Sequence, residues 1–346
     1  MRGSRPAAAS ARAGAVNGAL PARRLSASLV VALIHVMMSA ATGCAADNPT
    51  GDSAMTPNDD PMVPAIHVEA QARYVLGFPI LIAVELRNRT TDTDYLDLPR
   101  LGLLTPIDSL AVELRPQLGG TAVSLGPSFE MADRELLRTE LMAGERARML
   151  IDVSTFGQPL KAGRYELVGR LFSGPGSFRE SEPVEVELVA PTAAERAEAE
   201  RLRAQGMDRK RLDTGSWQPF LTSNRSAVAA PANLGATASQ QLAPYLALHR
   251  AAYGPIPLAQ IPLEAFAAFK GPVLAPEGAL LRYELIAARG SPPEIAAARA
   301  DLLRQWPAMK QRVEQVDRGS GLLTTLRKVY GVERTSPPRA GKPPAG

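Results

Sequence analysis

Histidine is the side chain most often used for acid–base catalysis and metal binding near neutral pH, and the 346-residue chain has three: His35, His67 and His249. A Ser-His-Asp relay needs histidine beside a nucleophile and a carboxylate, and no Gly-x-Ser-x-Gly elbow accompanies any of them. His67 reads as a strand residue (Ala65-Ile-His-Val-Glu69) and His249 as a helix residue (Ala247-Leu-His-Arg250), both with structural or exposed roles. Thr91-Asp92-Thr-Asp94-Tyr-Leu-Asp97 groups three carboxylates after a strand. Oxygen ligands in a loop can hold Ca²⁺, so Asp92, Asp94 and Asp97 are the candidate metal ligands. The run lacks the glycine and terminal glutamate of an EF-hand, which leaves a solvated acidic turn as the plainer reading. Gly319-Ser-Gly321 before Leu322 could aim backbone N–H groups at an anion at a helix start. Without a Walker lysine it also reads as a turn between helices. The one cysteine, Cys44, leaves no disulfide and no thiolate zinc site. No cofactor is expected.

Asp213-Thr-Gly-Ser216 is similar to the active-site turn of aspartic peptidases. That chemistry needs two such aspartates sharing a proton. No second Asp-Thr-Gly or Asp-Ser-Gly occurs, and Lys210 and Arg211 stand where the family has apolar strand residues. The expectation is a loop tetrapeptide. Trp217 and Trp306 are the two tryptophans. Trp217-Gln-Pro-Phe220 could offer a stacking face to a sugar, or pack between domains. Asn-x-Ser/Thr sequons stand at Asn88 and Asn224.

These residues must be positioned by three kinds of segment, and the first is an export signal. Residues 1–43 carry five arginines and no acid, then an apolar run from Leu29 to Met38, then small residues. Basic, apolar and small-residue parts in that order make a secretory signal peptide. Ten apolar residues are too few for a bilayer span, which needs about 20. Arg23-Arg24 lacks the phenylalanine and lysine of a twin-arginine signal. The signal's end, Ala41-Thr-Gly-Cys44, resembles the lipobox of bacterial lipoproteins, with Ala41 where leucine is usual. The resemblance implies that Cys44 becomes an acylated N-terminus anchoring the chain to a membrane. Ala45 follows, with no aspartate there, which points to the outer membrane. Cleavage near Ala45-Ala46 by ordinary signal peptidase and an uncleaved anchor are the competing readings. Residues 44–63 are a flexible tether.

Residues 64–190 read as β. Ile66, Val68 and Ala70 alternate, as do Ile80, Ile82, Val84 and Leu86, the pattern of half-buried strands. Further strands are expected at 110–114, 147–153, 164–172 and 183–188, with glycine-rich turns between them. About seven short strands suit a two-sheet antiparallel sandwich. Leu160-Lys-Ala-Gly-Arg-Tyr165 resembles the turn-then-tyrosine entry to a late strand of immunoglobulin-like domains. With Gly77-Phe-Pro-Ile80 through Asn88, and Leu141-Met-Ala-Gly-Glu145, it resembles bacterial immunoglobulin-like modules of the proteinase-inhibitor type. The resemblance implies that the Tyr165 hydroxyl ties back to upstream backbone.

At 191 the pattern turns helical. Thr192-Ala-Ala-Glu195 is a capping box opening a charged helix that stops at Gly206. Residues 207–241 read as irregular linker. Residues 242–331 read as a small all-α domain: a helix to Arg289 ended by Gly290, then Ser291-Pro-Pro-Glu294 capping the next helix up to Pro307. Residues 280–307 resemble a tetratricopeptide-like helical hairpin, with further helices expected at 243–253, 262–270 and 308–330. Residues 332–346 read as a disordered tail.

The fold class is therefore multidomain α+β. Residues 44–190 hold 22 acidic and 13 basic residues, net −9, and residues 191–346 hold 13 and 21, net +8. The chain after residue 43 is −1, which removes the main support for nucleic-acid binding. The expected function is non-catalytic binding or scaffolding in the cell envelope, with the membrane and an envelope protein as partners. The alternatives are a hydrolase using carboxylates such as Asp92, Asp94 or Asp213, and a proteinase-inhibitor-like module.

Overall fold

In β3 (Leu81–Arg87), alternate residues face opposite sides, as strand geometry requires, and both sides are covered. Ile82, Val84 and Leu86 enter one hydrophobic core, with Ile66, Val68, Leu110, Val112, Met149 and Ile151. Leu81 and Ala83 enter another, with Leu150 and a set of helical residues. The strand is thus buried on both faces over most of its length, not half-buried as alternation alone suggested. The physical reason is a helical layer lying on what would otherwise be the solvent face.

The computed structural model describes residues 64–99, 110–125, 136–156, 160–174, 177–206, 217, 220–221 and 230–329. Among them, β1 (Ala65–Glu69), β3 and β8 (Arg146–Asp152) form a three-stranded sheet in the order β1-β3-β8. A second sheet runs β2 (Arg73–Val75), β11 (Val184–Val189), β9 (Gly163–Gly174), β5 (Leu110–Pro116), β6 (Val123–Leu125), with β10 (Ser177–Glu180) also on β9. β4 (Asp94–Pro99) pairs with β7 (Leu136–Leu141). Pairing is antiparallel except at β2–β11, where Arg73 to Val75 run parallel to Glu187 to Val189. The expectation of a purely antiparallel arrangement is corrected there. Strands β2, β4, β6, β7 and β10 were not expected. Several are three or four residues long, too short for period-2 alternation to register.

The two larger sheets close on each other tightly at Gly169. A Cβ placed there would come within 2.7 Å of Val68 and 2.8 Å of Ile66. The expected tyrosine tie is present: the Tyr165 hydroxyl donates to the Lys161 carbonyl at 2.9 Å.

The helices are α1 (Ala193–Gly206), α2 (Ala236–Tyr253), α3 (Gly271–Arg289), α4 (Pro292–Gln305), α5 (Lys310–Asp317) and α6 (Leu322–Val329). The linker reading for 207–241 is corrected at its end, because α2 begins at Ala236. In the 262–270 stretch a 3₁₀ turn, Leu263–Phe266, stands where a helix was expected. Both capping boxes form. Thr192 N–H donates to Glu195 at 2.8 Å and Glu195 N–H to the Thr192 hydroxyl at 3.2 Å. Ser291 and Glu294 exchange the same pair of bonds at the start of α4. Glu195 also accepts from Gly235 N–H and Glu198 from Ala232 N–H, which ties α1 to the segment entering α2. α3, α4 and α5 enclose a third core of Leu280, Tyr283, Leu302, Met309, Val313 and Val316.

The joint between sheet and helices is polar as well as apolar. β8 sends Ala147, Met149 and Ile151 between the sheets. Its other face sends Arg148, Leu150 and Asp152 toward the helices. Pro276 lies inside α3 and lacks the N–H that would bond the Pro272 carbonyl four residues earlier. Arg148 supplies that donor, at 3.0 Å to Pro272 O and 3.3 Å to Val273 O. Gln241 of α2 accepts from Val75 N–H at 2.6 Å and donates to the Val75 and Pro79 carbonyls. The described residues fall within one compact unit.

Candidate functional site

One face of α2 borders both the core, through Leu246 and Ala251, and an open space beside it. Leu242, Tyr245 and Ala252 pack inward. Ser239, Ala243, Leu246, Ala247, Arg250 and Ala251 recur at helical spacing and line a cavity of 430 Å³. The facing wall comes from Ile256, Ile261, Pro262, Ala265 and Ala268. Two 3₁₀ turns, Leu258–Gln260 and Leu263–Phe266, fold this segment back along the helix, with Pro257 and Pro262 at their starts. Ile256 is 46 % exposed, an unusual position for a large aliphatic side chain.

The charged residues among the described lining are Arg250 and Arg327, both cationic. Arg250 is exposed in the last turn of α2. Arg327, on α6, is buried and donates to the Ala251 carbonyl at 2.5 Å and the Ile256 carbonyl at 2.7 Å. It thereby caps a carbonyl at the end of α2 that the helix itself leaves unbonded. The cavity can therefore take up an apolar group beside the exposed Arg250.

The deeply buried carboxylates lie elsewhere and serve as joints. Asp152 Oδ1 accepts from Ile80 N–H at 3.1 Å, Ser154 N–H at 3.0 Å and the Ser154 hydroxyl at 2.6 Å. Its Oδ2 accepts from the Tyr245 hydroxyl at 2.6 Å. Burial pushes the Asp152 carboxyl above its ordinary value, against the pull of these donors. Glu284 accepts from Leu323 N–H at 3.0 Å, Thr324 N–H at 2.6 Å and the Thr324 hydroxyl at 2.7 Å. The anion that Gly319-Ser-Gly321 could receive at a helix start is thus the chain's own Glu284. Its carboxyl occupies the space where a Gly321 Cβ would stand, so a side chain there would displace it from these donors. Burial raises the Glu284 carboxyl as well. Glu277 is buried near Arg312, at 3.6 Å, and burial raises it too, opposed by the Arg312 and Arg148 charges. On the sheet side, the Lys310 ammonium donates to Glu145 at 2.5 Å; burial pushes Glu145 up, but this bond holds its carboxyl below the ordinary value.

Of the acidic candidates, Asp94 and Asp97 belong to a strand and Asp92 to the turn before it. In β4, Asp94 and Asp97 pair in register with Leu141 and Arg138. The turn before it, with Asp92, is organised by buried Asn88, which donates to the Asp92 and Leu141 carbonyls and accepts from Thr90 N–H. No group of three metal-ligating side chains occurs among the described residues. His67 is exposed, 3.8 Å from Glu69. His249 is buried between the rings of Phe220 and Tyr253, each 4.7 Å away. The two histidines therefore sit in different surroundings and build no shared centre. Trp217 is fully buried, stacked on Phe78 of the sheet region at 6.2 Å, and donates to the Gly77 carbonyl at 2.9 Å. That is the packing role, not the sugar platform. Cys44, the signal 1–43, the tether 44–63, Asp213 to Ser216, Asn224 and the tail 332–346 lie outside the described residues.

Sequence reasoning missed the cavity. Its one signal was the small-residue face of 239–251, which the expected helix at 243–253 contains only in part.

No family model matches the chain, and no curated protein matches it. Solved structures are similar to parts of it. A CARDB domain from Pyrococcus furiosus, in complex with di-metal ions, is 10% identical over 38% of this chain and 97% of that one, at a TM-score of 0.21. An alkylpurine DNA glycosylase from Pseudomonas fluorescens is 19% identical over 37% of this chain and 30% of its own, at 0.22. A β-glucosidase from Listeria innocua is 12% identical over 36% and 16%, at 0.21. No activity is carried from these proteins to the chain, whose fold is mixed α+β, sheets followed by helices.

Proposed function

We propose that this protein is a non-catalytic binding or scaffolding protein of the bacterial cell envelope, held at a membrane through an acylated Cys44. The observation that carries the reading is how its buried carboxylates are used. Asp152 and Glu284 are each saturated by donors from elements they join, and Glu277 sits among arginines. A general acid or base must instead face a substrate with a proton to move. The open cavity is lined by aliphatic groups and two arginines, a surface that binds.

The sheet region is taken as an immunoglobulin-like sandwich. Support comes from the shared core of the two sheets, the edge strand β2 running parallel to β11, and the Tyr165 tie at the start of β9. Such a fold fixes no activity by itself; activity or binding lies in the sites placed on it. The covered face of β1-β3-β8 makes sheet and helices one body, so a partner meets a preformed surface.

Two measurements test the reading. The intact mass of membrane-extracted protein, beside Cys44→Ala, should show a chain starting at acylated Cys44 and lost in the variant. A panel of peptidase, esterase and glycosidase substrates should give no turnover. A specific activity abolished by one point change would end the non-catalytic reading.

A further inference from the structure

We propose that the groove along α3, between the Leu263–Phe266 turn and Trp306, is the docking site for this chain's own proline-rich segment 335–344. The inference goes beyond the binding reading and does not use the acylated anchor.

The groove consists of two adjoining depressions that share Ala279, Arg282 and Trp306. The larger, 360 Å³, has a floor of Ala275, Gly278 and Ala279 and walls from Leu263, Phe269 and Trp306. Its small residues recur at helical spacing, so α3 offers a channel there and not a ridge. The smaller, 170 Å³, continues along α3 to Ile286, against Ala298 and Asp301 of α4. Trp306 is half-buried between the two. Its indole N–H is a donor only, and no described residue accepts from it. An aromatic ring with a free donor at its edge suits a polyproline II chain. The prolines lie against the ring, and the backbone carbonyls, which have no partners within such a chain, accept from the donor.

Three properties of the sequence name the occupant. Pro337-Pro338 and Pro343-Pro344 are six residues apart, about 19 Å in polyproline II. The lining on α3 runs from Ala275 to Ile286, about 17 Å of helix, so one proline pair falls at each depression. The segment is cationic: Thr335 to Gly346 include Arg339 and Lys342 and no acid, and each depression has one carboxylate on its lining, Glu264 in the larger and Asp301 in the smaller. The segment also reaches. Arg327 donates to the Ile256 carbonyl, and the chain from Ile256 to Leu263 spans at most about 25 Å. From Arg327 to Pro337 a polyproline II chain covers about 31 Å.

One charge opposes the docking. Arg282 lies between the depressions, but it is exposed and therefore screened by solvent and salt. Asp301 is shared with Arg304 and Gln305, so the prolines carry more of the contact than the charges do. The short connection supplies the rest, since it holds the segment near the groove at roughly millimolar effective concentration.

The test follows the two indole N–H signals by ¹⁵N NMR in the full chain carrying Cys44→Ala, with Trp306→Phe identifying its own. Pro337→Ala/Pro338→Ala/Pro343→Ala/Pro344→Ala should shift the Trp306 signal and leave that of Trp217, which is buried and bonded to Gly77. A synthetic peptide of residues 335–346, added to this four-alanine variant, should return the signal saturably. The chain with its prolines intact should need at least tenfold more peptide to respond. Adding Trp306→Leu to the four-alanine variant should abolish binding of a fluorescent form of the peptide, read by anisotropy, with the melting temperature within a few degrees. A Trp306 signal unmoved in the four-alanine variant, or peptide binding unchanged by Trp306→Leu, would overturn the proposal. Equal peptide binding with and without the prolines would also overturn it and leave the groove to a proline-rich partner. A Trp306 signal that depends on protein concentration would overturn it in favour of a contact between two copies. None of these outcomes touches the non-catalytic reading, which falls only to a measured turnover.

Discussion

The Tyr245 hydroxyl on α2 donates to Asp152 Oδ2 on β8 at 2.6 Å, with both residues buried and 93 positions apart in sequence. Asp152 sits where β8 ends, at Leu81 in register. Its other oxygen holds Ile80 and Ser154, so one carboxyl fixes a strand end, the following 3₁₀ turn and a helix. Burial raises its folded-state carboxyl above the ordinary 3.8.

The sign of the pH effect follows from that rise. The folded chain keeps the Asp152 proton to higher pH than the unfolded chain, so this group's contribution declines as pH climbs from 3.8 through the raised value. An asparagine in its place cannot ionise, and the amide can donate to the Tyr245 oxygen, with the hydroxyl bond reversed. The unfolding free energy of Asp152→Asn relative to wild type should therefore rise with pH and then level off. Urea titrations between pH 3 and 8 measure it; a flat or falling difference would contradict the buried-carboxyl account.

Tyr245→Phe keeps the ring and removes one donor from a buried carboxyl. A loss of about 1–3 kcal/mol is expected, with Asp152→Asn/Tyr245→Phe showing strong non-additivity in the same urea titrations.

Arg148 stands in for the N–H that Pro276 lacks. Arg148→Ala leaves the Pro272 carbonyl without that donor and removes a cation from buried Glu277. A loss of about 3–5 kcal/mol follows from breaking such a buried charge cluster. The apolar isostere Arg148→Met should cost less than Ala, because the stem's packing is retained. Thermal melts of the two variants rank them; Met falling below Ala would count against this.

Glu284→Ala frees two N–H groups at the start of α6 and the Thr324 hydroxyl. The expected cost is about 2–4 kcal/mol, combining a lost cap with unsatisfied buried donors. Hydrogen exchange should accelerate first at α6, and because Arg327 lies on that helix, the cavity wall should loosen with it.

Gly169→Ala brings a methyl to within 2.7 Å of Val68 across the sheets. Overpacking of this kind costs about 1–3 kcal/mol. Gly144→Ala, at a turn with open space but a φ of 76°, separates backbone strain from packing as a control. Both are read by chemical denaturation, and a neutral Gly169→Ala would mean that the sheets can part.

The sequence by itself determined whatever is decided within one turn or one strand. The two capping boxes, the Tyr165 tie four residues back and the end of α3 at Gly290 all involve groups close in the chain, so residue type and spacing suffice. The tertiary structure decided what covers each face. Leu81, Ala83 and Leu150 read as the unremarked side of half-buried strands until the helices lie on them. The carboxyl seated at the helix start beside Gly321 was that of Glu284, 39 residues from Leu323 with α4 and α5 between, and alternation carries no record of it. The cavity exists because α2 leaves one small-residue face unfilled and the 256–268 segment folds opposite it. Periodicity reports that a face exists; only the packing of distant segments decides whether that face is core, joint or opening.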